Sequence, residues 1–292
     1  MNPPIGQRRL EHWWIGHSWI EQSPEQFLCS IGTIVAQFDA ATQDSGNISY
    51  VVQVGDARWF VKTAGVADDP APLLPHGQRV ALLRNAVRLH RSVAHPALPK
   101  LHHVIESSAG PLLIYQWCSG DLLGVPRQFR DDPASAYQRF RSLPAATILA
   151  ALHSLFQLHH VLAQSGWVAV DLYDGSLLYN FATEQLHVVD LDHYHPGPFC
   201  NQMGRMFGSA RFMAPEEFQR GEMIDQRTTL FTLARIALWM LGDGTLNPQA
   251  FRGTEGMLQV LKQATEPNPE LRFQTVRSFW EAWCKATEER KA

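Results

Sequence analysis

The sequence predicts an α+β chain built as two lobes, a β-rich one followed by a helical one. Three observations carry this. Short runs of β-branched and aromatic residues dominate the first 118 positions. Long helical periodicities dominate the remainder. The pattern changes once, at Cys118-Ser119-Gly120. Residues 1–118 therefore read as an N-terminal extension plus a β-rich lobe, and residues 119–292 as a helical lobe. Two lobes on one chain lead us to expect a cleft between them.

The first forty residues hold Trp13, Trp14 and Trp19 and give no clear periodicity. A strand pair follows, Ile48–Val54 and Arg58–Lys62. Gly55-Asp56 between them is a hairpin signal. Gln78 to Val93 places Val80, Leu83, Val87 and Leu89 on one face of a helix, and His95-Pro96 ends it. Leu98–Ile105 and Leu112–Trp117 read as strands joined by a turn at Gly110-Pro111. Ala145–Gln164 is a long apolar helix. Short strands are expected at Leu177–Tyr179 and Leu186–Val189, with helices from about Pro215 onward.

Composition narrows the function classes. Of 292 residues, 45% are hydrophobic and 18% charged, enough apolar material for a large core. The net charge of −3 and the lack of a basic run remove the usual electrostatic driver for nucleic-acid binding. Cys29, Cys118, Cys200 and Cys284 are far apart and form no CxxC pair, which points to reduced thiols in a cytoplasmic compartment. The N-terminus lacks the apolar region of a signal peptide. No uninterrupted apolar run has membrane-spanning length, so no membrane partner is expected.

The chemistry-bearing stretch is Val168-Ala-Val-Asp171-Leu-Tyr-Asp174-Gly-Ser176, followed by His187-Val-Val-Asp190-Leu-Asp192. Each acidic loop ends a short apolar run. Such a pair suits phosphoryl transfer, where one carboxylate meets the incoming hydroxyl and another holds a divalent metal. Taken alone, the spacing favours a plain hairpin with turn-favouring Asp and Gly.

Further matches, spread in order over roughly residues 45 to 285, resemble the protein-kinase superfamily. Gly208-Ser-Ala-Arg-Phe-Met-Ala-Pro-Glu216 is similar to the family's G-T-x-x-Y-M-A-P-E segment, and Asp190-Leu-Asp192 lies where the family has D-F-G. Glu266-Pro-Asn-Pro-Glu-Leu-Arg272 resembles the D-P-x-x-R run, and Phe60-Val-Lys62 the third-strand lysine. His95-Pro96, the Leu112–Trp117 strand and Gly120 resemble the end of helix C, the fifth strand and the hinge.

The resemblance implies a bilobal protein-kinase-like fold and a set of roles. Lys62 would contact the ATP phosphates. Asp171 would orient or deprotonate the acceptor hydroxyl. Asp190, with Ser176, would hold Mg²⁺, with Mn²⁺ as an alternative. Backbone groups of Gln116 and Cys118 would bond the adenine edge, with Tyr115 behind it. Glu216 and Arg272 would form a structural ion pair. The activity implied is that of an atypical, bacterial-type serine/threonine protein kinase, acting on a protein or small-molecule acceptor.

The departures define the alternatives. H-R-D reads Ala169-Val170-Asp171, and the asparagine five residues after the aspartate is Ser176. D-F-G has lost its glycine. There is no Glu between Glu25 and Glu106, so the helix expected at Gln78–Val93 cannot supply the partner of Lys62. The aspartate expected in the later helix is Thr229. Only Asp44-Ser-Gly46-Asn47-Ile-Ser49 could cover the phosphates. A pseudokinase serving as a nucleotide-binding or partner-binding module is thus the second reading, and a small-molecule kinase the third. The His193-Tyr-His195 pair beside Asp190 and Asp192 lacks a convincing third ligand set for a metal.

Overall fold

The structure, a computed structural model, describes residues 13–14, 16–41, 45–68 and 73–288. It is an α+β architecture with a mixed sheet and, among the described residues, seven α-helices. The chain divides into two compact units. The first comprises residues 1–94 and 99–118, and the second residues 95–98 and 119–292.

The first unit is a six-stranded sheet flanked by two helices. Its elements are β1 (Trp19–Ile20), α1 (Pro24–Ile31), β2 (Thr33–Phe38), β3 (Ile48–Val54), β4 (Ala57–Thr63), α2 (His76–Ser92), β5 (Leu101–Ser107) and β6 (Leu112–Gln116). The strand order is β1-β5-β6-β4-β3-β2. β1 runs parallel to β5, and the remaining neighbours pair antiparallel.

Gly55, at φ +59, makes the tight turn between β3 and β4 that the Gly-Asp pair signalled. α1 lies in the stretch without a clear period. Ser23 caps it by accepting from the Gln26 amide, while the Gln26 side chain accepts from Ser23 N–H, with Pro24 in the first turn. One apolar cluster joins Trp13, Trp14, Phe27 and Leu28 to Val52, Trp59, Val61 and Ile114. A second joins Leu83, Ala86 and Val87 of α2 to Leu113 and Tyr115. Strand alternation thus buries both faces of the sheet, one under the N-terminal segment and the other under α2.

The expected strand at Leu98–Ile105 begins three residues later. Ala97 and Leu98 belong to a turn in which Leu98 N–H donates to His95 O, and the Ala97 carbonyl accepts from Val188 N–H. The apolar character of Leu98 fits either role, so periodicity alone did not separate them.

The second unit contains β7 (Asp121–Leu122), α3 (Ala136–Arg141), α4 (Ala145–Gln164), β8 (Trp167–Val168), β9 (Leu177–Asn180), β10 (Gln185–Val188), β11 (His195–Pro196), β12 (Phe199–Cys200), β13 (Met223–Ile224), α5 (Gln226–Leu241), α6 (Glu255–Ala264) and α7 (Val276–Glu288). α4 is the central element, packed against α5, α7, β8 and β10. Its length and composition are enough to cross a membrane. In the structure Leu152, Leu155, Phe156, Leu158 and Leu162 are instead buried in this unit's core, with Phe156 against Phe279 and Trp283 of α7. α5 is buried along most of its length. Arg141 and Arg252 donate to the carbonyls of Trp239 and Met240 at the end of α5 and of Gly242 just after it, where cations complement the helix dipole.

Candidate functional site

The second unit brings Asp171, Ser176 and Asp190 together. β9 and β10 form a hairpin in which Leu177 faces Val188. Just outside that ladder, Val189 N–H donates to Ser176 O at 2.9 Å, and the Ser176 hydroxyl donates to Asp171 O at 3.1 Å. The two acidic loops are therefore linked through one serine. Among the described residues, the non-glycine positions with positive φ are Asp171 (+63), Glu184 (+55) and Asp190 (+62). The left-handed conformation costs roughly 1–2 kcal/mol for an L-residue, and aspartate tolerates it better than most. Strain of this kind persists where the surroundings over-determine it, commonly at functional sites.

Thr229 stands where the resemblance leads one to expect an aspartate. Its buried hydroxyl accepts from Ala169 N–H at 3.0 Å, fixing the backbone two residues before Asp171 to α5. The segment at Gly208 also lies against this loop. A β-carbon built on Gly208 would stand 3.7 Å from the Asp171 Cα. Arg211, from the same segment, pairs with the buried Asp174 at 2.5 Å, leaving the other Asp174 carboxylate oxygen without a hydrogen bond. Arg235 donates to Arg211 O and so braces that segment from α5.

Glu216 and Arg272 form the expected ion pair. It is bidentate, at 2.8 and 2.9 Å, and both side chains are buried. Arg272 also donates to the carbonyls of Glu266, Arg227 and Pro267, while Thr228 donates to Glu216. Each charge therefore has several compensating partners.

Glu217, next in sequence, was not singled out by the sequence. Burial, followed in smaller measure by the charges of Glu216 and Asp171, pushes its carboxyl up to about 8. The Ala214 N–H it accepts, at 2.7 Å, acts in the opposite direction. His159, fully buried in α4, is lowered to about 4 by desolvation.

These two groups set opposite pH dependences for the second unit. Unfolded, His159 binds a proton below about 6.5, and folded it does not until about 4, so its contribution to stability is lost as pH falls through that window. Folded Glu217 keeps its proton up to about 8 and the unfolded residue releases it near 4.5, so its contribution is lost as pH rises through that window. His95 and His187, also lowered mainly by burial, reinforce the acid side. Urea midpoints of the second unit should peak near pH 6.5. Glu217→Gln should remove the decline on the alkaline side. An alkaline limb as steep in that variant as in wild type would assign the decline to other groups.

The first unit holds the remaining candidates. Lys62 is buried near the end of β4, opposite Ser49 of β3 and Leu113 of β6. Two residues on from Phe60, it shares the sheet face that α2 covers. α2 carries no carboxylate. His90 from this helix lies edge-on to Tyr115 at 5.0 Å and is lowered to about 4, first by burial and then by the Lys62 charge.

α2 also carries Arg79. Its buried guanidinium donates to the carbonyls of Gly46, Ala64 (2.6 Å) and Val66 (2.8 Å). It thereby ties the turn before β3 to the chain just after Lys62. Gly65, at φ +68, permits that approach, because a β-carbon there would collide with the Gly46 carbonyl. Asp44, at the start of the expected phosphate-covering loop, lies outside the described residues.

Gln116 ends β6. Its N–H donates to Lys100 O at 2.9 Å, and its carbonyl takes a weak contact from the Cys118 thiol at 3.9 Å. Burial raises that thiol to about 11, which keeps it protonated and inert as a nucleophile. The Gln116 amide is engaged by the chain just before β5.

Among the described residues, no group of three or more His, Cys, Asp and Glu side chains stands close enough to hold a metal ion, the His193 and His195 stretch included. The donor set at Asp190 and Ser176 is hard oxygen. It fits Mg²⁺ arriving with a nucleotide, since that ion commonly takes one or two carboxylates and fills its octahedron with water and phosphate oxygens. No family model matches the chain, and no curated protein is significantly similar to it.

Proposed function

We propose that this chain is an ATP-dependent phosphotransferase with a bilobal protein-kinase-like fold and degenerate motifs. The observation that carries the reading is the joined pair of acidic loops, with Asp171 and Asp190 both held at positive φ and linked through Ser176. Asp171 orients the hydroxyl of a protein or small-molecule acceptor. Asp190, with Ser176 beside it, holds Mg²⁺ or Mn²⁺, and the metal neutralises charge on the transferring phosphoryl group. Lys62 serves the nucleotide phosphates as a point charge, and the backbone at Gln116 and Cys118 serves the adenine.

A second reading, a pseudokinase that binds nucleotide without transferring phosphate, draws on two observations. α2 offers no carboxylate to orient Lys62, and the Ser176 hydroxyl is directed at Asp171 O. Incubation with γ-labelled ATP, with Mg²⁺ or Mn²⁺ and a generic protein acceptor, decides between them. Label in protein or released phosphate, absent in Asp190→Ala, supports the transferase. Nucleotide binding without any transfer, to acceptor, self or water, replaces it with the pseudokinase.

A further inference from the structure

Two residues that the sequence reading left aside meet inside the second unit. The Tyr194 hydroxyl lies 2.8 Å from His159 Nε2, and His159 Nδ1 lies 2.8 Å from Leu155 O, one turn earlier in α4. A carbonyl can only accept, so Nδ1 carries the ring proton. Nε2 then needs a donor, and the tyrosine hydroxyl supplies it. One tautomer satisfies every group. Both side chains are 1% exposed. Tyr194 is therefore an interior anchor.

The location of this bond gives it consequence. Asp190 to Tyr194 is a short loop tethered at both ends, by Val189 N–H to Ser176 O before it and by the Tyr194 side chain after it. Tyr194 N–H donates to Leu191 O, closing the intervening turn, and Leu191 and Asp192 are buried beneath it. Beyond Tyr194, His195 and Pro196 pair with Val168 and Trp167, the strand that leads into the Asp171 loop. At the far side of the bond is α4, whose inner face is packed in this unit's core and serves as a fixed reference.

We propose that the Tyr194–His159 hydrogen bond is a pin that positions the Asp190–Asp192 loop and keeps the Asp190 carboxylate aimed for a metal-bound nucleotide, an inference that rests on the phosphotransferase reading. Neither partner changes protonation near neutral pH. His159 is held neutral by burial, and the Tyr194 hydroxyl is pushed far above its ordinary range by burial and then by the Asp171 charge. The pin is permanent and does not act as a pH switch. Tyr194 and His159 are positioning residues, because their effect on any ligand passes through Asp190.

The test uses hydrogen–deuterium exchange and nucleotide binding on the full chain. Tyr194→Phe keeps the ring and strands the His159 acceptor. The double variant Tyr194→Phe/His159→Leu removes both partners of this bond and no longer strands the His159 acceptor, so its melting temperature should return toward wild type. In that double variant the amides of residues 189–194 should still exchange about 10-fold faster, as expected for one lost hydrogen bond, while α4 stays protected. KM for Mg·ATP should rise by a similar factor, with kcat changed less. Wild-type exchange across 189–194 in the double variant would overturn the pin. If wild type binds no Mg·ATP, the phosphotransferase reading falls, and the exchange data still decide whether the loop is pinned.

Discussion

Arg272→Ala is expected to lower the melting temperature of the second unit by about 10 °C. The substitution leaves the Glu216 carboxylate buried, with the Thr228 hydroxyl in place of a guanidinium. Breaking one side of a buried pair costs roughly 3–5 kcal/mol, and each kcal/mol moves the melting point by roughly 2–4 °C in a unit of this size. Three carbonyls lose their donor as well. The replacement Glu216→Leu/Arg272→Met should recover much of the loss, because apolar groups of similar volume leave no charge stranded. Scanning calorimetry of the three proteins checks this. A single variant that melts like wild type would show that the ion pair does not hold this unit together.

Asp190→Ala and Asp171→Ala should fail in different ways. In the proposed reading Asp190 would hold the metal that accompanies the nucleotide, so its loss should remove Mg·ATP affinity and turnover together. The Asp171 carboxylate would act on the acceptor hydroxyl in the transition state, so its loss should leave affinity near wild type and lower turnover by about 10²–10⁴-fold. Glycine substitutions add a control that geometry alone supplies. At φ +62 and +63, Asp190→Gly and Asp171→Gly relieve backbone strain while removing the carboxylate. They should melt higher than the alanine variants and be equally impaired in function. Calorimetric titration with Mg·ATP and a turnover assay on the four variants separate the roles. Equal loss of nucleotide affinity at both positions would erase the distinction drawn here.

Much of the fold was legible because its signals are local. The turn at Gly55, the apolar stripe of α2 and the long α4 each follow from neighbours a few residues apart. α1 was also readable in principle, through Ser23-Pro24 and Gln26, but the surrounding tryptophans obscured any periodicity. The start of β5 was not legible, since an apolar residue in a turn looks the same as one in a strand. At the site, residue types pointed to Asp171, Ser176 and Asp190. The contacts of the helpers did not stand out, even where the residue itself did, as with Thr229. Thr229 lies sixty residues from its partner Ala169, Arg79 lies thirty-three from Gly46, and Tyr194 lies thirty-five from His159.

The sequence by itself determined what α2 lacks. With no glutamate between Glu25 and Glu106, no packing could give Lys62 a glutamate from that helix. It also supplied the residue types for the Glu216–Arg272 pair and the β-before-α order. Tertiary structure decided the rest. It set two aspartates at positive φ, held Glu217 protonated and His159 neutral, and turned α2's polar reach toward backbone carbonyls through Arg79. The physical reason is that backbone strain and desolvation are set by whatever surrounds a residue after folding. Those surroundings come from segments distant in sequence, whose proximity no local pattern encodes.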